Sequence, residues 1–360
     1  MSDHQSIKPT AKLLFLSVND GSDTRINKEM VTLSPRFIID FVGVAMDGGQ
    51  PFFAGKARRI EFVRGQRRSM VTLVKLWWCV FKLRLQNRYD SVHVINENLQ
   101  LWLLPLLVGQ RVVLDVFDSI FLKSRMPRWL AWLGQRVCYT CATRVIVTDE
   151  ERAGLMPAFV RSKLAVLPNF PFRYSGPRHP RDAAGVRILY AGSLEERRGT
   201  AFLRQLLSSE EDIHVVMAGW IRDEPSQALT EHEKVEWLGT LSQQAIIEQA
   251  TRCDFILCHY DPVNLNNVYA SPNKIYDAIQ AGAGIIINPE VRISGFVREN
   301  HLGVVLDAFE PANIKTVARQ LREFKAGYRP DAALAGKFLW ESVEGILLES
   351  HGVPITGTTG

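Results

Sequence analysis

Short apolar runs recur along this chain at strand length, and each is followed by a stretch with helical spacing. In the first half they are KLLFLSV, FIIDFVGVA, SVHVIN, RVVLDVF and RVIVTD, separated by helical patterns such as VTLVKLWWCVFKLRLQ and MPRWLAWLGQRV. A short run of mostly apolar residues reads as a strand buried on both faces, which a parallel sheet covered by helices provides. The alternation therefore predicts a doubly wound α/β layer. The rhythm breaks in LAVLPNFPFRYSGPRHPRDAAG, which is rich in proline and polar residues, and then restarts as RILYAGS, TAFLRQLL, HVVMAGW, VEWLG, SQQAIIEQATR and DFILCHY. A hinge between Pro168 and Pro180 and a second parallel sheet follow. Two domains are also what 360 residues lead one to expect.

Composition narrows the class. Apolar residues at 46% and charged residues at 22% suit a globular protein with a sizeable core. Five cysteines, with no secretory pattern in MSDHQSIKPTAKLL, predict a reducing, cytosolic setting. Cys138 and Cys141 form a CxxC, but with no second pair and no histidine cluster they read as packing residues rather than a zinc or redox site. The longest uncharged apolar stretch, LQLWLLPLLVG, is too short to span a bilayer and contains Pro105. Charge divides unevenly, with 24 Lys and Arg against 14 Asp and Glu through residue 170, and 19 against 24 beyond it. The two halves are built for different partners.

The segment SPNKIYDAIQAGAGIII, residues 271–287, carries the clearest chemistry. Ser271 reads as an N-cap with Pro272 in the first turn, Gly282 as the C-terminal stop, and Ile285, Ile286 and Ile287 as a buried strand. A helix N-terminus offers unpaired N–H groups and a positive dipole end, and Lys274 adds a full charge, so the spot suits phosphate. The plainer alternative is a solvated lysine with Asp277 as a favourable acid near the helix start. In RILYAGSLEERRGTAFL, Gly192 closes a strand and a helix begins after Gly199, with Arg197 and Arg198 between them. That turn is either a phosphate loop or an exposed basic turn. Gly219 closes the next strand. Arg198 and Lys274 come from separate strand-to-helix loops of one half, as a diphosphate clamp requires.

Taken together these segments resemble the two-domain GT-B glycosyltransferases, in particular the retaining family 4 and its relatives. NDGSDTRINKEMVTL resembles the family's first loop and helix, RVVLDVFDS its D-x-H-D strand end, and KLAVLPNFP its V-x-P-N hinge. ILYAGSLEERRG is similar to the Y-x-G-R-L-x-x-x-K-G phosphate loop, SPNKIYDAIQAGAGIII to the P-x-K-x-x-E-x-x-A-x-G-x-P-V-I block, and KFLWESVEGIL to the closing W-E segment. The resemblance implies two Rossmann-like domains facing a cleft: residues 1–170 for the acceptor, 171–340 for the nucleotide sugar, and 341–360 as a crossover helix and loose tail. It implies donor binding by Gly192, Arg198, Gly219, Ser271, Asn273, Lys274 and Asp277, with Lys274 neutralising the leaving diphosphate and Asp277 holding the ribose. The chain departs from the pattern at Ser193, where the family often has arginine, at Arg198 for lysine and at Asp277 for glutamate. Tyr269 stands where family 4 has the first glutamate of its E-x7-E pair, so the paired-acid motif is incomplete.

The first half then holds the acceptor. Asp23, Arg25, His93, Asp115 and Asp118 lie at or near its strand ends. An inverting transfer needs a base, for which Asp118 is the first candidate and Asp23 the second, with Arg25 and His93 as acceptor-binding residues. The structural alternatives are a capping Asp118, a buried Asp115 and a core His93. From Lys56 to Arg88 the charge is basic: ARRIEFVRGQRRSMVTLVKLWWCVFKLRLQNR has nine Lys and Arg, one acid in Glu61, and Trp77, Trp78 and Phe81 among them. This fits an anionic membrane surface, or else core tryptophans beside a solvated basic face. No nucleic-acid motif is present. The reading is a cytoplasmic glycosyltransferase, peripheral on the inner membrane face, passing a sugar from a nucleotide-diphosphate sugar to a lipid-linked or glycan acceptor in polysaccharide synthesis. It needs no cofactor and no metal. The rivals are an epimerase of the same architecture and a non-catalytic nucleotide-sugar-binding subunit.

Overall fold

The apolar runs form parallel strands in two sheets. In a computed structural model, which describes residues 9–46, 49, 51–67, 69–123, 126–181, 184–209 and 212–354, the chain divides between Pro168 and Asn169, and Val343–Gly360 group with the first unit.

The first unit contains β1 (Ala11–Leu16), α1 (Thr24–Leu33), β2 (Phe37–Ala45), β3 (Arg59–Arg64), α2 (Met70–Gln86), β4 (Ser91–Ile95), α3 (Glu97–Leu107), β5 (Val112–Asp115), α4 (Ile120–Lys123), α5 (Arg128–Cys141), β6 (Arg144–Val147), α6 (Glu150–Leu155) and β7 (Leu164–Val166). Its sheet runs β3-β2-β1-β4-β5-β6-β7, parallel throughout. The second unit contains β8 (Val186–Leu194), α7 (Thr200–Ser209), β9 (Ile213–Ile221), α8 (Glu224–Leu229), β10 (Val235–Trp237), α9 (Gln243–Arg252), β11 (Phe255–Cys258), α10 (Leu265–Val268), α11 (Asn273–Ala281), β12 (Gly284–Ile287), α12 (Ser294–Glu299), β13 (Gly303–Val305), α13 (Ile314–Gly327) and α14 (Ala332–Lys337). Its sheet runs β10-β9-β8-β11-β12-β13. The last helix, α15 (Glu344–Ser350), packs on α1.

Both strand orders reverse direction at one point, between β1 and β4 and between β8 and β11, the doubly wound pattern expected from the alternation. Helices diverge to opposite faces at such a point and leave a crevice at the carboxyl ends of the two strands. Their burial explains their composition: Leu13–Leu16, Ile285–Ile287 and Phe255–Cys258 are almost wholly buried because helices cover both faces.

Three local readings change. RIEFVR, taken only as part of a basic segment, forms the edge strand β3, whose side chains stay partly exposed. An edge strand covered on fewer sides carries no continuous apolar run to announce it. Ser271 does not cap α11. Pro272 itself has extended backbone, φ −73° and ψ 133°, which makes it the N-cap and Asn273 the first helical residue. His351 does not belong to a loose tail: it is buried, its Nδ1 pairs with Ser91 Oγ at 2.7 Å and its Nε2 with His93 Nδ1 at 3.0 Å. Residues 355–360 of that segment lie outside the described residues.

Candidate active site

In the second unit, β8 and β11 end side by side at the switch point, and the candidate donor residues gather on their loops. Gly192 lies near the end of β8 with φ +95°, a left-handed conformation that a side chain rarely takes, and a Cβ there would lie 3.6 Å from Lys274 Cε. Gly219 of β9 is paired with Gly192, and a Cβ on it would fall 1.9 Å from the Gly192 carbonyl oxygen. Its role is to let the backbone beside the site close up.

Lys274, in the first turn of α11, points its ammonium between two rings, with Nζ 5.6 Å from the Tyr190 centroid and 5.7 Å from that of Tyr260. The Arg198 guanidinium also lies over the Tyr260 ring, 5.3 Å from its centroid. Burial pulls Lys274 down to about 8, with Arg198 adding to the shift while Cys258 and Asp277 oppose it. Two cations and an uncapped helix N-terminus converge beside a glycine turn. Such a site is unfavourable when empty and gains most from a dianion.

The loops are pinned from below. The Tyr190 hydroxyl donates to the Glu195 carbonyl at 3.1 Å and accepts from the Glu195 N–H at 2.9 Å, which fixes the turn bearing Arg198. Asn288, at the end of β12, accepts from the Tyr260 N–H and donates to the Tyr260 carbonyl, both at 3.0 Å. Arg197, the neighbour of Arg198, is engaged elsewhere: it pairs with Asp261 and lies over Phe309. Asp277 is buried, and its Oδ1 accepts from Gln243 Nε2 at 2.8 Å. Ser271 Oγ is buried without a hydrogen-bond partner, and its carbonyl accepts from Asn169 Nδ2 at 3.0 Å. Asn273 opens the helix. Tyr190, Tyr260, Asn288 and Gln243 are absent from the sequence-based set. The only signal for Tyr260 and Asn288 was their position just after a strand run, a place that also holds many structural residues.

In the first unit the candidates separate into two groups. Arg25, Glu29, His93 and Asp115 form a fully buried cluster. Arg25 donates to Glu29 at 3.0 Å, to Asp115 at 2.8 Å and to the Leu167 carbonyl at 2.8 Å. His93 Nε2 lies 3.4 Å from Glu29, its Nδ1 meets His351, and its ring stacks on Phe15. Burial pushes Asp115 well up and lowers His93 to about 4. Glu29, His93 and Asp115 could each offer a metal a ligand atom within 4.8 Å of the others, but the Arg25 guanidinium already occupies the place of a cation between the two acids.

Asp23 and Asp118 are not members of that ion-pair network, though Asp23 lies beside it. Asp23 is the N-cap of α1, with Oδ1 accepting from the N–H groups of Arg25 at 2.8 Å and Ile26 at 3.3 Å, and burial raises it despite those bonds. Asp118 has a side chain 55% exposed with Lys123 Nζ at 4.0 Å. Its turn is held by Asn96, whose Oδ1 accepts from the N–H groups of Phe117 at 2.8 Å and Asp118 at 3.0 Å. Asn96 sits at φ 66°, one of two non-glycine residues with positive φ among the described residues. Asn96, just past the carboxyl end of β4, thus holds the turn after β5 from a sparsely populated backbone conformation that the sequence did not reveal.

No protein-family model matches the chain, and no curated protein matches it. Solved structures do. The chain is similar to WaaG, a glycosyltransferase involved in lipopolysaccharide biosynthesis, with 13% identity over 96% of this chain and 100% of that one and a TM-score of 0.61. It is similar to Anabaena HepE in complex with UDP-glucose, with 12% identity over 94% and 99% and a TM-score of 0.60. It is also similar to a UDP-N-acetylglucosamine 2-epimerase, with 13% identity over 98% and 99% and a TM-score of 0.58. The chain therefore has the two-domain, Rossmann-like GT-B fold.

Proposed function

We propose that this protein is a glycosyltransferase that takes a nucleotide-diphosphate sugar and passes its sugar to a lipid-linked or glycan acceptor in cell-surface polysaccharide synthesis. The observation that carries the reading is the convergence of Lys274, Arg198 and the α11 N-terminus beside Gly192 at the β8/β11 switch point. A similar fold is known with UDP-glucose bound, which supports a nucleotide sugar as ligand.

In the reaction, an acceptor hydroxyl gives its proton to a carboxylate while its oxygen bonds to the anomeric carbon. The bond from that carbon to the diphosphate oxygen breaks, and its electron pair leaves with the diphosphate. Lys274, Arg198 and the helix N–H groups meet the charge that develops there, and they need no reorganisation to do so. No metal or cofactor is invoked. Asp118 is the proposed base, since it is exposed, whereas Asp23 spends its carboxylate on capping α1. Arg25 and His93 have their polar groups turned to protein, so their proposed part is to hold the acceptor side in shape. The basic surface from Lys56 to Arg88 supports a peripheral place on an anionic membrane; within it, Arg68 lies outside the described residues. No helix among the described residues is long and apolar enough to cross a membrane.

The epimerase reading has one observation in its favour, the similarity to the 2-epimerase. Donor consumption with and without a membrane extract separates the two, because an epimerase turns over its nucleotide sugar with no acceptor present. Asp118→Asn should cut transfer about 100-fold to 10,000-fold while leaving donor affinity intact. A fully active Asn variant would remove Asp118 from the mechanism.

A further inference from the structure

Two helices of the first unit expose large apolar side chains that no described residue of the unit covers. α2, α3 and α5 connect β3 to β4, β4 to β5 and β5 to β6. Right-handed crossovers in this strand order put all three on one face of the sheet. Side chains confirm their contact: Trp102 Nε1 of α3 donates to the Leu73 carbonyl of α2 at 2.9 Å, and Gln100 Nε2 of α3 donates to the Cys138 carbonyl of α5 at 2.7 Å.

α2 carries two apolar stripes. One, with Leu76, Val80 and Leu83, is buried on the sheet. The other runs Val71, Val74, Trp78 and Leu85, with Phe81 between the last two; its four named members are exposed, Trp78 at 52%. The steps of three, four and seven keep this stripe on one outward face. α5 is more extreme. Its buried residues are Cys138 and Tyr139, near its end, while its first turns hold Trp129 at 69% and Trp132 at 59% exposure, together with exposed Leu130 and Leu133. A helix is normally held by packing of its large apolar residues, and in these turns only the small Ala131 and Gly134 face inward, Gly134 against Phe121.

The charge around the stripes is of one sign. There is no acid between Glu61 and Asp90, nor between Asp118 and Asp149. Lys75 and Lys82 of α2 and Arg128 and Arg136 of α5 are exposed, and the Arg136 guanidinium lies 5.8 Å from the Trp132 ring centroid. Exposed indoles beside cations, with no acids among them, match the boundary of an anionic bilayer, where rings sit at headgroup depth and cations meet phosphate. We infer that α2 and α5 together form a membrane-docking face, in which Trp78, Trp129 and Trp132 enter the headgroup region of an anionic bilayer and the flanking lysines and arginines meet its phosphates. This rests on the peripheral-membrane reading above and extends it to α5, which lies outside the basic 56–88 segment.

The test is co-sedimentation of the full chain with vesicles of phosphatidylcholine, with and without phosphatidylglycerol, at low salt. The wild type should bind the anionic vesicles and bind neutral ones weakly, and lipids brominated near the headgroup end of the chain should quench its tryptophan fluorescence. Trp129→Ser with Trp132→Ser should weaken binding at least ~30-fold, since taking half of one indole's surface out of water is alone worth roughly that factor. Lys75→Gln and Lys82→Gln should each cost roughly 5-fold, an effect that fades at high salt. All four positions are exposed, so unchanged melting serves as the folding check. Wild-type protein that ignores anionic vesicles would overturn the inference. So would a Trp129/Trp132 variant that binds like wild type, or a solution dimer that this variant abolishes, since the face would then be covered by a second copy. Nucleoside-diphosphate binding, followed by thermal shift in the same preparations, reports on the proposed donor site alone. Loss of vesicle binding with intact nucleotide binding refutes only the docking face, and the reverse refutes only the donor site.

Discussion

Replacing Lys274 by methionine should make the empty protein more stable and the ligand-bound protein far weaker. The ammonium of Lys274 is held at about 8 by burial and by Arg198, against 10.5 for a free lysine. The folded state therefore disfavours the charged form. The cost is fully present below pH 8 and disappears as pH rises through 10.5, where the unfolded chain also loses its proton. A difference of that size corresponds to an upper bound of roughly 3 kcal/mol. The residue keeps some solvent contact, so ~1–2 kcal/mol is the expected gain from methionine, enough to raise the melting temperature by a few degrees in a chain of this size.

Ligand binding should move the opposite way. A diphosphate restores the counter-charge that the empty site lacks and draws a proton onto Lys274. If only the ammonium form binds, affinity is nearly flat below pH 7 and falls about tenfold per unit above pH 8. Isothermal titration with the tightest of a panel of nucleoside diphosphates, run from pH 7 to 9.5 in buffers of different ionisation enthalpy, measures both the affinity and the proton uptake. Lys274→Met should lose ~10- to 100-fold in affinity at pH 7, the size of a charge-assisted contact, and should lose the pH dependence with it. Affinity that stays flat to pH 9.5 in the wild type, or a methionine variant that is less stable when empty and binds as before, would refute the reasoning.

Other consequences follow from the same geometry. Arg198→Ala should weaken the nucleoside diphosphate by ~10- to 100-fold, whereas Arg197→Ala should change it only a few-fold because that arginine is committed to Asp261; equal effects in titration would contradict the assignment. Gly219→Ala should cost about 2–5 kcal/mol of stability, since its Cβ would meet the Gly192 carbonyl oxygen at a left-handed position, and denaturant melts at constant slope measure it. His259, stacked between Phe202 and Phe309, is held by burial at about 4. Its neutral form is favoured by folding, so stability should fall as pH drops from 6.5 toward 4, and His259→Phe should flatten that slope in thermal melts over this window.

Much of the fold was legible because the central strands are buried on both faces and the longer helices mostly on one, so periodicity separates them. The cluster of Lys274 and Arg198 beside Gly192, the candidate donor site, was legible for a similar reason. Its charges lie in short loops between regular elements, where a glycine, an arginine and a lysine stand out against apolar strands. Tyr190 and Tyr260 were not legible, because an aromatic within a strand or just after one is as common in a core as in a site. What places them in the candidate site is the Lys274 ammonium between their rings, a contact that brings strand β8 and helix α11 together from distant parts of the chain.

The first unit was harder to read because its charged residues are similar in type and differ only in partners. Arg25, His93 and Asp115 come from three separate elements, and only the fold shows that Arg25 pairs with Asp115 and Glu29 while His93 packs beside them. The closing element of this network, His351, lies 258 residues from His93 in a stretch whose glycines and threonines suggest a tail. A buried charge without its partner is so unfavourable that such residues come as a complete set. Once Arg25 is accounted for by two carboxylates and a carbonyl, it has little left to offer an acceptor. The same reasoning favours Asp118: Asp115 is bound within the network and Asp23 caps a helix, whereas Asp118 is exposed on a turn that Asn96 holds at the cost of a strained backbone. The strain sits at Asn96, which holds that turn, and presenting the Asp118 carboxylate to an acceptor hydroxyl is the role we propose for it, which the Asp118→Asn variant tests.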